Sequence, residues 1–320
     1  MRMGVLDVGA NAASLVVAEV DDGVPSAVRT VKYPLRLAER LGRGGRLGPD
    51  AVSRVAGAGS AARAEAARWG CPEPFVFATA VVRDAPNAPE VLAEVRRRTG
   101  VLPHTMPGEV EAELTYLAVR RWMGWQVGPL AVLDIGGGSF EVAFGRGGLP
   151  DFATSLPLGA RVLTREYLDD GDPPSARAGK ELRRHVRRHL EDVGARIRNE
   201  APHTVVATSR TFQQLARLCG APPGRQGWSV PRRLARVDLA RATRRLAALP
   251  AARRAELPGI SAARAKQALA GSIVAHAAMR AMDIDTVTLC PWAVREGILL
   301  RHIEDGPVGA GSRGRTRREV

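Results

Sequence analysis

The chain has 320 residues and is 45% hydrophobic, long for one domain and comfortable for two, with only 4% aromatics, so its cores must be built from Ala, Val and Leu. Lys+Arg 47 against Asp+Glu 33 gives a net charge of +14. Cys71, Cys219 and Cys290 are odd in number and scattered, which excludes a disulfide framework and a cysteine metal cage.

No stretch reaches the ~18 apolar residues of a membrane span. The apolar run after Arg2 is interrupted by Asp7 and Asn11 and lacks a small-residue cleavage site, so a cytoplasmic protein is expected, with no membrane partner. The lysines are Lys32, Lys180 and Lys266; the rest of the positive charge is arginine. GC-rich codon usage accounts for that bias. A polyanionic partner would also exploit it, because guanidinium groups match phosphate oxygens bidentately.

Residues 3–20 alternate as a buried hairpin, MGVLDVG then SLVVAEV. Residues 50–68 read as a helix starting at Asp50 after Pro49, and FVFATAVV (75–82) as an apolar strand ending at Arg83-Asp84. Helices are expected over 88–99 and 107–122, the latter with Leu114, Leu117 and Ala118 on one face. GWQVGP (124–129) reads as a hinge. A second strand pair covers 130–145, and a basic helical segment 176–200. TVVATSR (204–210) is a strand and turn before the helix TFQQLARLCG, and 221–229 a loop. RVDLARATRRLAAL is a helix, 258–282 a turn into a long helix, 286–292 a strand and 293–304 a closing helix. The tail from 305 to 320 has the composition of a disordered segment.

Two stretches stand out. VLDIGGGSFEVAF (132–144) places three glycines and Ser139 between apolar runs, and VLDVGANAASLVV (5–17) repeats it 127 positions earlier. Val5, Leu6, Asp7 and Gly9 fall on Val132, Leu133, Asp134 and Gly136, while Ser14 stands where the second copy has Glu141. Glycines let successive N–H groups converge on a phosphate, and Ser139 adds a hydroxyl donor. Asp134 and Glu141 beside such a cradle suit a magnesium ion between carboxylate and phosphate oxygens. A short glycine motif alone is a weak signal and is more often a tight hairpin. Its repetition points to two cradles gripping adjacent phosphates of one substrate. Strand-turn-strand units mixed with helices, occurring twice, predict two related α/β domains around a cleft.

GVLDVGAN, FATAVVRDAPN, GEVEAELTYLAVRRW, LDIGGGSFEV, SLPLGA, VATSRTF and CPWAVREGILLR, in that order, resemble the exopolyphosphatase/guanosine pentaphosphate phosphohydrolase family, closest to its short two-domain actinobacterial members, over about residues 3–304. The resemblance implies two actin-like (ribonuclease H-like) domains with an interdomain cleft, residues 1–124 and 125–292. The helix 293–304 would pack back on the N-terminal domain. The implied activity is release of terminal phosphate from inorganic polyphosphate, short chains above all, by water that Glu111 positions and deprotonates, with Mg2+ or another divalent cation. Gly9, Ala10 and Asn11 would form the first phosphate loop, Gly136, Gly137, Gly138 and Ser139 the second. Arg83 would bind phosphate from a strand end, and Asp7, Asp134 and Glu141 would approach the metal. Guanosine penta- or tetraphosphate is the alternative ligand, and a homodimer is compatible with the family.

Blander readings stand beside these. Arg83 can simply pair with Asp84 at the surface. Glu109, Glu111 and Glu113 sit at a helix start, where carboxylates favour the macrodipole. Cys290 and Trp292 read as core, and the six histidines show no metal spacing. The chain also departs from the family: Ala10 and Ala12 replace hydroxyl residues, Ser14 a His or Arg, Ala80 a serine, Val110 an acid and Glu113 an arginine. Glu111, Asp134 and Glu141 are intact, so the pattern points to an altered substrate or a weak enzyme; a polyphosphate- or alarmone-binding regulator is the alternative. A sugar kinase is disfavoured because VVATSRT lacks the glycine pair of an adenosine pocket. Only charge suggests nucleic acid, which is not the expected partner.

Overall fold

The computed structural model describes residues 1–71, 73–101, 103–227 and 230–305. The tail assigned to disorder falls outside the described residues except for Asp305, and Trp228 and Ser229 of the expected 221–229 loop lie outside them too.

The first half runs β1 (Arg2–Val8), β2 (Ala12–Asp21), β3 (Val24–Pro34), α1 (Pro49–Arg68), β4 (Phe75–Ala78), α2 (Ala80–Arg83), α3 (Ala88–Thr99), β5 (His104–Thr105) and α4 (Gly108–Met123). Its sheet has the order β3-β2-β1-β4-β5, an antiparallel meander extended by parallel strands. The second half runs β6 (Leu130–Ile135), β7 (Phe140–Gly145), β8 (Phe152–Leu156), α5 (Ala160–Tyr167), α6 (Ala176–His189), α7 (Glu191–Glu200), β9 (Thr204–Thr208), α8 (Ser209–Leu218), β10 (Arg233–Ala235), α9 (Arg236–Ala247), α10 (Ala251–Arg254), α11 (Ala262–Ala265), α12 (Ala268–Ala281), β11 (Thr286–Leu289) and α13 (Val294–Asp305). Its sheet, β10-β11-β9-β6-β7-β8, repeats the meander β8-β7-β6 and the parallel additions β9 and β11. Two copies of one α/β topology thus follow each other along the chain.

The hairpins are registered alike. Asp7 pairs opposite Ser14 in the first, and Asp134 opposite Glu141 in the second. Strands β6 and β7 are almost wholly buried because helices cover one face and α4 the other. The larger core is built, as expected, from Leu, Val and Ala with few rings.

Two helices are exchanged between the halves. α4 lays Ala112, Tyr116 and Val119 on Leu130, Val132 and Ala143 of the second sheet. α13 packs Val294, Ile298 and Leu299 with Val5, Phe77 and Leu114, on the first sheet. Gly297 makes the α4–α13 contact feasible: a Cβ there would lie 2.0 Å from the Leu114 carbonyl oxygen. Arg120 fastens α4 to the second half. It is 2% exposed and donates to Gly128 O and Gly145 O, each at 2.9 Å, and to the Tyr116 hydroxyl.

Several sequence expectations are corrected. The strand 75–82 stops at Ala78; Thr79 turns the chain, and Val81 and Val82 belong to α2, so Arg83 ends a helix turn rather than a strand. The basic segment 176–200 is two helices meeting at Leu190, and 258–282 is divided between α11 and α12. GWQVGP contains a short 3-10 turn, Trp125–Val127. Strand β3 was not expected at all. Among the described residues, no helix is long and apolar enough to cross a membrane.

Candidate active site

The two glycine turns close in the same way. Gly9 N–H donates to Ala12 O at 3.1 Å, and Gly136 N–H to Ser139 O at 2.9 Å, equivalent positions in the repeat. Each loop also gives two carbonyls to a later segment, with Ala10 and Gly137 the one shared position. Ala10 O and Asn11 O accept from Leu37, Leu35 and Arg36 N–H; Gly136 O and Gly137 O accept from Ala160, Arg161 and Val162 N–H. In a trans peptide the following N–H points the opposite way. No backbone acceptor among the described residues takes the Gly137 or Gly138 N–H. The alanines of the first loop therefore leave its backbone geometry intact and remove only side-chain donors.

The loops face each other. A Cβ on Gly137 would lie 3.8 Å from Ala10 Cβ, and one on Gly138 2.6 Å from Ala80 Cβ. Gly159 approaches Gly138 so closely that a Cβ on it would meet the Gly138 carbonyl carbon at 2.1 Å, which is why SLPLGA needs a glycine before α5. A cavity of about 410 Å³ opens between the loops, walled by Ala10, Ala80, Gly137, Gly138, Arg161 and Arg165.

The carboxylates sit beside the loops and outside that cavity's lining. Glu111 lies in the first turn of α4, which starts against β8: a Cβ on Gly108 would overlap Ser155. Glu141 accepts from the Ser155 hydroxyl at 2.9 Å and is 3% exposed. Burial, then Asp134 and Asp7 in turn, push Glu111 up to about 8. Burial, with Asp7 adding, raises Asp134 to about 7, and burial raises Asp7 to about 6 against the pull of Arg295. Burial, then Glu111 and Asp134, drives Glu141 well above the carboxylate range. Four carboxyl groups repel one another in a poorly solvated place.

Arg83 stands next to them. Its guanidinium pairs with Asp84 at 2.8 Å, as the blander reading held, yet Nη1 also comes within 3.5 Å of Glu111 Oε2. Glu109 is exposed, whereas Glu111 faces the cluster and keeps only 15% side-chain exposure. Cys290 is buried and Trp292 meets Trp122 at a tilt of 56°, ring centroids 5.4 Å apart, so CPW is packing.

The cluster is compatible with a divalent cation. Asp7 Oδ1 and Glu111 Oε2 are buried without a hydrogen-bond partner, and the carboxyls disfavour one another's ionisation despite Arg83 beside Glu111 and Arg295 near Asp7. Among the described residues no three His, Cys, Asp or Glu converge as a protein cage. An ion here would take one or two carboxylates and complete its shell from water and substrate oxygens, the coordination magnesium favours.

Sequence reasoning missed the cations around this acid. Arg295 of α13 donates to the Ser14 hydroxyl at 2.8 Å, so a cation reaches the first hairpin from the other end of the chain. Arg264 is held down to about 10 by burial and then by Arg161 and Arg210. Lys32 is lowered by burial and then by Arg210, Arg295 and Arg264. Both halves thus contribute cations to one basic wall.

Residues 16–305 match the model of the Ppx/GppA phosphatase family. The chain belongs to that family. It is 60% identical over 308 residues to an uncharacterised protein of Streptomyces coelicolor, covering 96% of this chain and 92% of the relative. It is 44% identical over 306 residues to exopolyphosphatase 1 of Mycobacterium tuberculosis, covering 95% and 89%. Among solved structures, an exopolyphosphatase of Cytophaga hutchinsonii superposes with TM-score 0.84 at 20% identity, covering 97% of this chain and all of the other. A Ppx/GppA protein of Aquifex aeolicus gives 0.79 at 23%, covering 95% and 98%. These likenesses show the actin-like two-domain fold, and the family makes the protein a phosphoanhydride hydrolase of exopolyphosphatase type.

Proposed function

We propose that this Ppx/GppA protein releases terminal phosphate from inorganic polyphosphate. The observation that carries the reading is the meeting of two equivalent glycine turns beside a shared cluster of acid, with cations drawn from both halves. Phosphoryl transfer needs little covalent chemistry from the protein, chiefly charge neutralisation and an oriented water. In this reading Gly9 to Asn11 and Gly136 to Ser139 bind successive phosphates through backbone N–H groups. Arg83 neutralises the transferring group, and Lys32, Arg264 and Arg295 receive the rest of the anion. Glu111 takes the proton of the attacking water, a role suited to a group whose pKa lies near neutrality.

Asp134 and Glu141, with Asp7 beside them, would hold Mg2+, which when bound supplies positive charge to the phosphoryl oxygens and relieves the repulsion among the carboxylates. Residues 1–124 and 125–292 are proposed as the two lobes, with 293–304 returned to the first. The three free cysteines support a cytoplasmic setting.

Phosphate release from short and long polyphosphate and from guanosine pentaphosphate, with and without Mg2+, tests the reading. Release from polyphosphate that disappears with Mg2+ is the expected result. Release confined to guanosine pentaphosphate would reassign the substrate. Binding without release would favour a polyphosphate- or alarmone-binding regulator, a second reading supported by the loss of hydroxyl donors at Ala10 and Ala12.

A further inference from the structure

The six histidines supply no three-ligand cage among the described residues, but α6 sets His185 and His189 four residues apart on one face at its C-terminal end. Their rings lie 4.2 Å apart, centroid to centroid, tilted by 41°. His189 Nδ1 is 3.0 Å from the His185 carbonyl oxygen. A carbonyl oxygen only accepts, so that nitrogen carries the hydrogen and the neutral ring presents its lone pair at Nε2. His185 Nδ1 lies 2.8 Å from the hydroxyl of Tyr167, the last residue of α5. A hydroxyl oxygen accepts as readily as it donates, so Nδ1–H of His185 can point at Tyr167 and leave a second Nε2 lone pair free. Among the described residues neither Nε2 has a hydrogen-bond partner. His189 is exposed and His185 half-buried, so solvent reaches the pair.

We propose that His185 and His189 form a cation site apart from the carboxylate cluster, which chelates one divalent transition ion of the Ni2+, Cu2+ and Zn2+ class through the two Nε2 atoms. Two coordinate bonds of ~2.0–2.1 Å span at most ~4 Å between nitrogens, a separation that rings this close reach by small rotations. Histidine ligands are ordinarily fixed by a hydrogen bond from the other ring nitrogen, and here the Tyr167 hydroxyl and the His185 carbonyl stand in those places. Two histidines four residues apart on a helix are a known chelating arrangement. Imidazole nitrogen suits nickel, copper and zinc, whereas Mg2+ prefers oxygen. The exposed Arg184 and Arg188 each precede one of the histidines, so bulk charge repels an ion here and the bonds to nitrogen must hold it. Water completes the shell, since the protein offers two ligands.

Calorimetric titration of the full chain with Ni2+, in excess Mg2+ to occupy the carboxylates, tests the site. One ion per chain is expected in the parent, with Cu2+ binding more tightly than Ni2+. His185→Ala and His189→Ala should each weaken Ni2+ binding by at least ~10-fold. Melting in the presence of chelator establishes that the variants are folded. If His185→Ala melts early because Tyr167 loses its partner, the exposed His189→Ala decides alone. Parental Ni2+ affinity in His189→Ala would overturn the proposal, as would a parent that binds no Ni2+. Displacement of Ni2+ by rising Mg2+ would overturn it as well, because the ion would then sit among the carboxylates.

Discussion

At the scale of single residues, the site is a problem of excess negative charge, and Glu111 is its pivot. Replacing it by Gln keeps shape but removes the proton acceptor, so turnover should drop ~10²- to 10⁴-fold while polyphosphate binding, measured by filter retention or calorimetry, persists. Equal turnover in Glu111→Gln and parent would reduce Glu111 to a helix-start carboxylate. The same substitution has a stability signature. Burial and neighbouring carboxylates raise Asp7, Asp134 and Glu111 above their unfolded values, so the folded state binds more protons than the unfolded chain. Their contribution is fully present below the ordinary carboxylate range and is lost as pH rises toward about 8. With divalent cations chelated, Glu111→Gln should therefore melt ~2–4 °C above the parent at pH 8 and show little advantage at pH 5. An advantage of equal size at both pH values would contradict the charge argument. Ala10→Ser with Ala12→Thr should tighten polyphosphate binding, each added hydrogen bond contributing roughly 0.5–1.5 kcal/mol. Unchanged affinity would mean that the first loop grips substrate through backbone alone.

Elements show which physical signals a sequence carries. The two hairpins were legible because their turns and apolar runs repeat at a fixed offset, and the structure pairs Asp7 with Ser14 and Asp134 with Glu141. Strand β3 was not, because it is an edge strand with Pro25, Arg29 and Lys32 in it and one fully buried side chain, so it has no apolar period. FVFATAVV misled for the opposite reason: an uninterrupted apolar run does not mark where Thr79 turns β4 into α2. The carboxylates and glycines of the candidate site stood out in short motifs. The basic wall did not, since Lys32, Arg264 and Arg295 are lost among 47 basic residues until folding brings them together. Arg120 was equally invisible, yet it holds α4 to the second sheet. Arg120→Met should leave the Gly128 and Gly145 carbonyls and the Tyr116 hydroxyl short of a donor, at a cost of ~1–3 kcal/mol for each group left unsatisfied. Thermal melting within a degree of the parent would show that water replaces the guanidinium.

For the whole molecule, the exchange of α4 and α13 sets the order in which the protein can be completed. Synthesis runs from the N-terminus, and domains usually fold as they emerge. Here the first sheet emerges early but must wait for Val294, Ile298 and Leu299, which follow the whole second sheet in the chain, before Val5 and Phe77 are covered on that side. Helix α4 waits as well, because Tyr116 and Val119 have no partner until β6 and β7 exist. The N-terminal half is thus a nascent chain with one apolar face open for most of the translation that follows it, and a second, on α4, open until β6 and β7 emerge. A fragment ending at Gly128 should be degraded rapidly by added protease, whereas the full chain resists; a resistant fragment would show that the first sheet closes by itself. Co-expressing residues 129–320 should protect it, since those residues bring both missing surfaces at once.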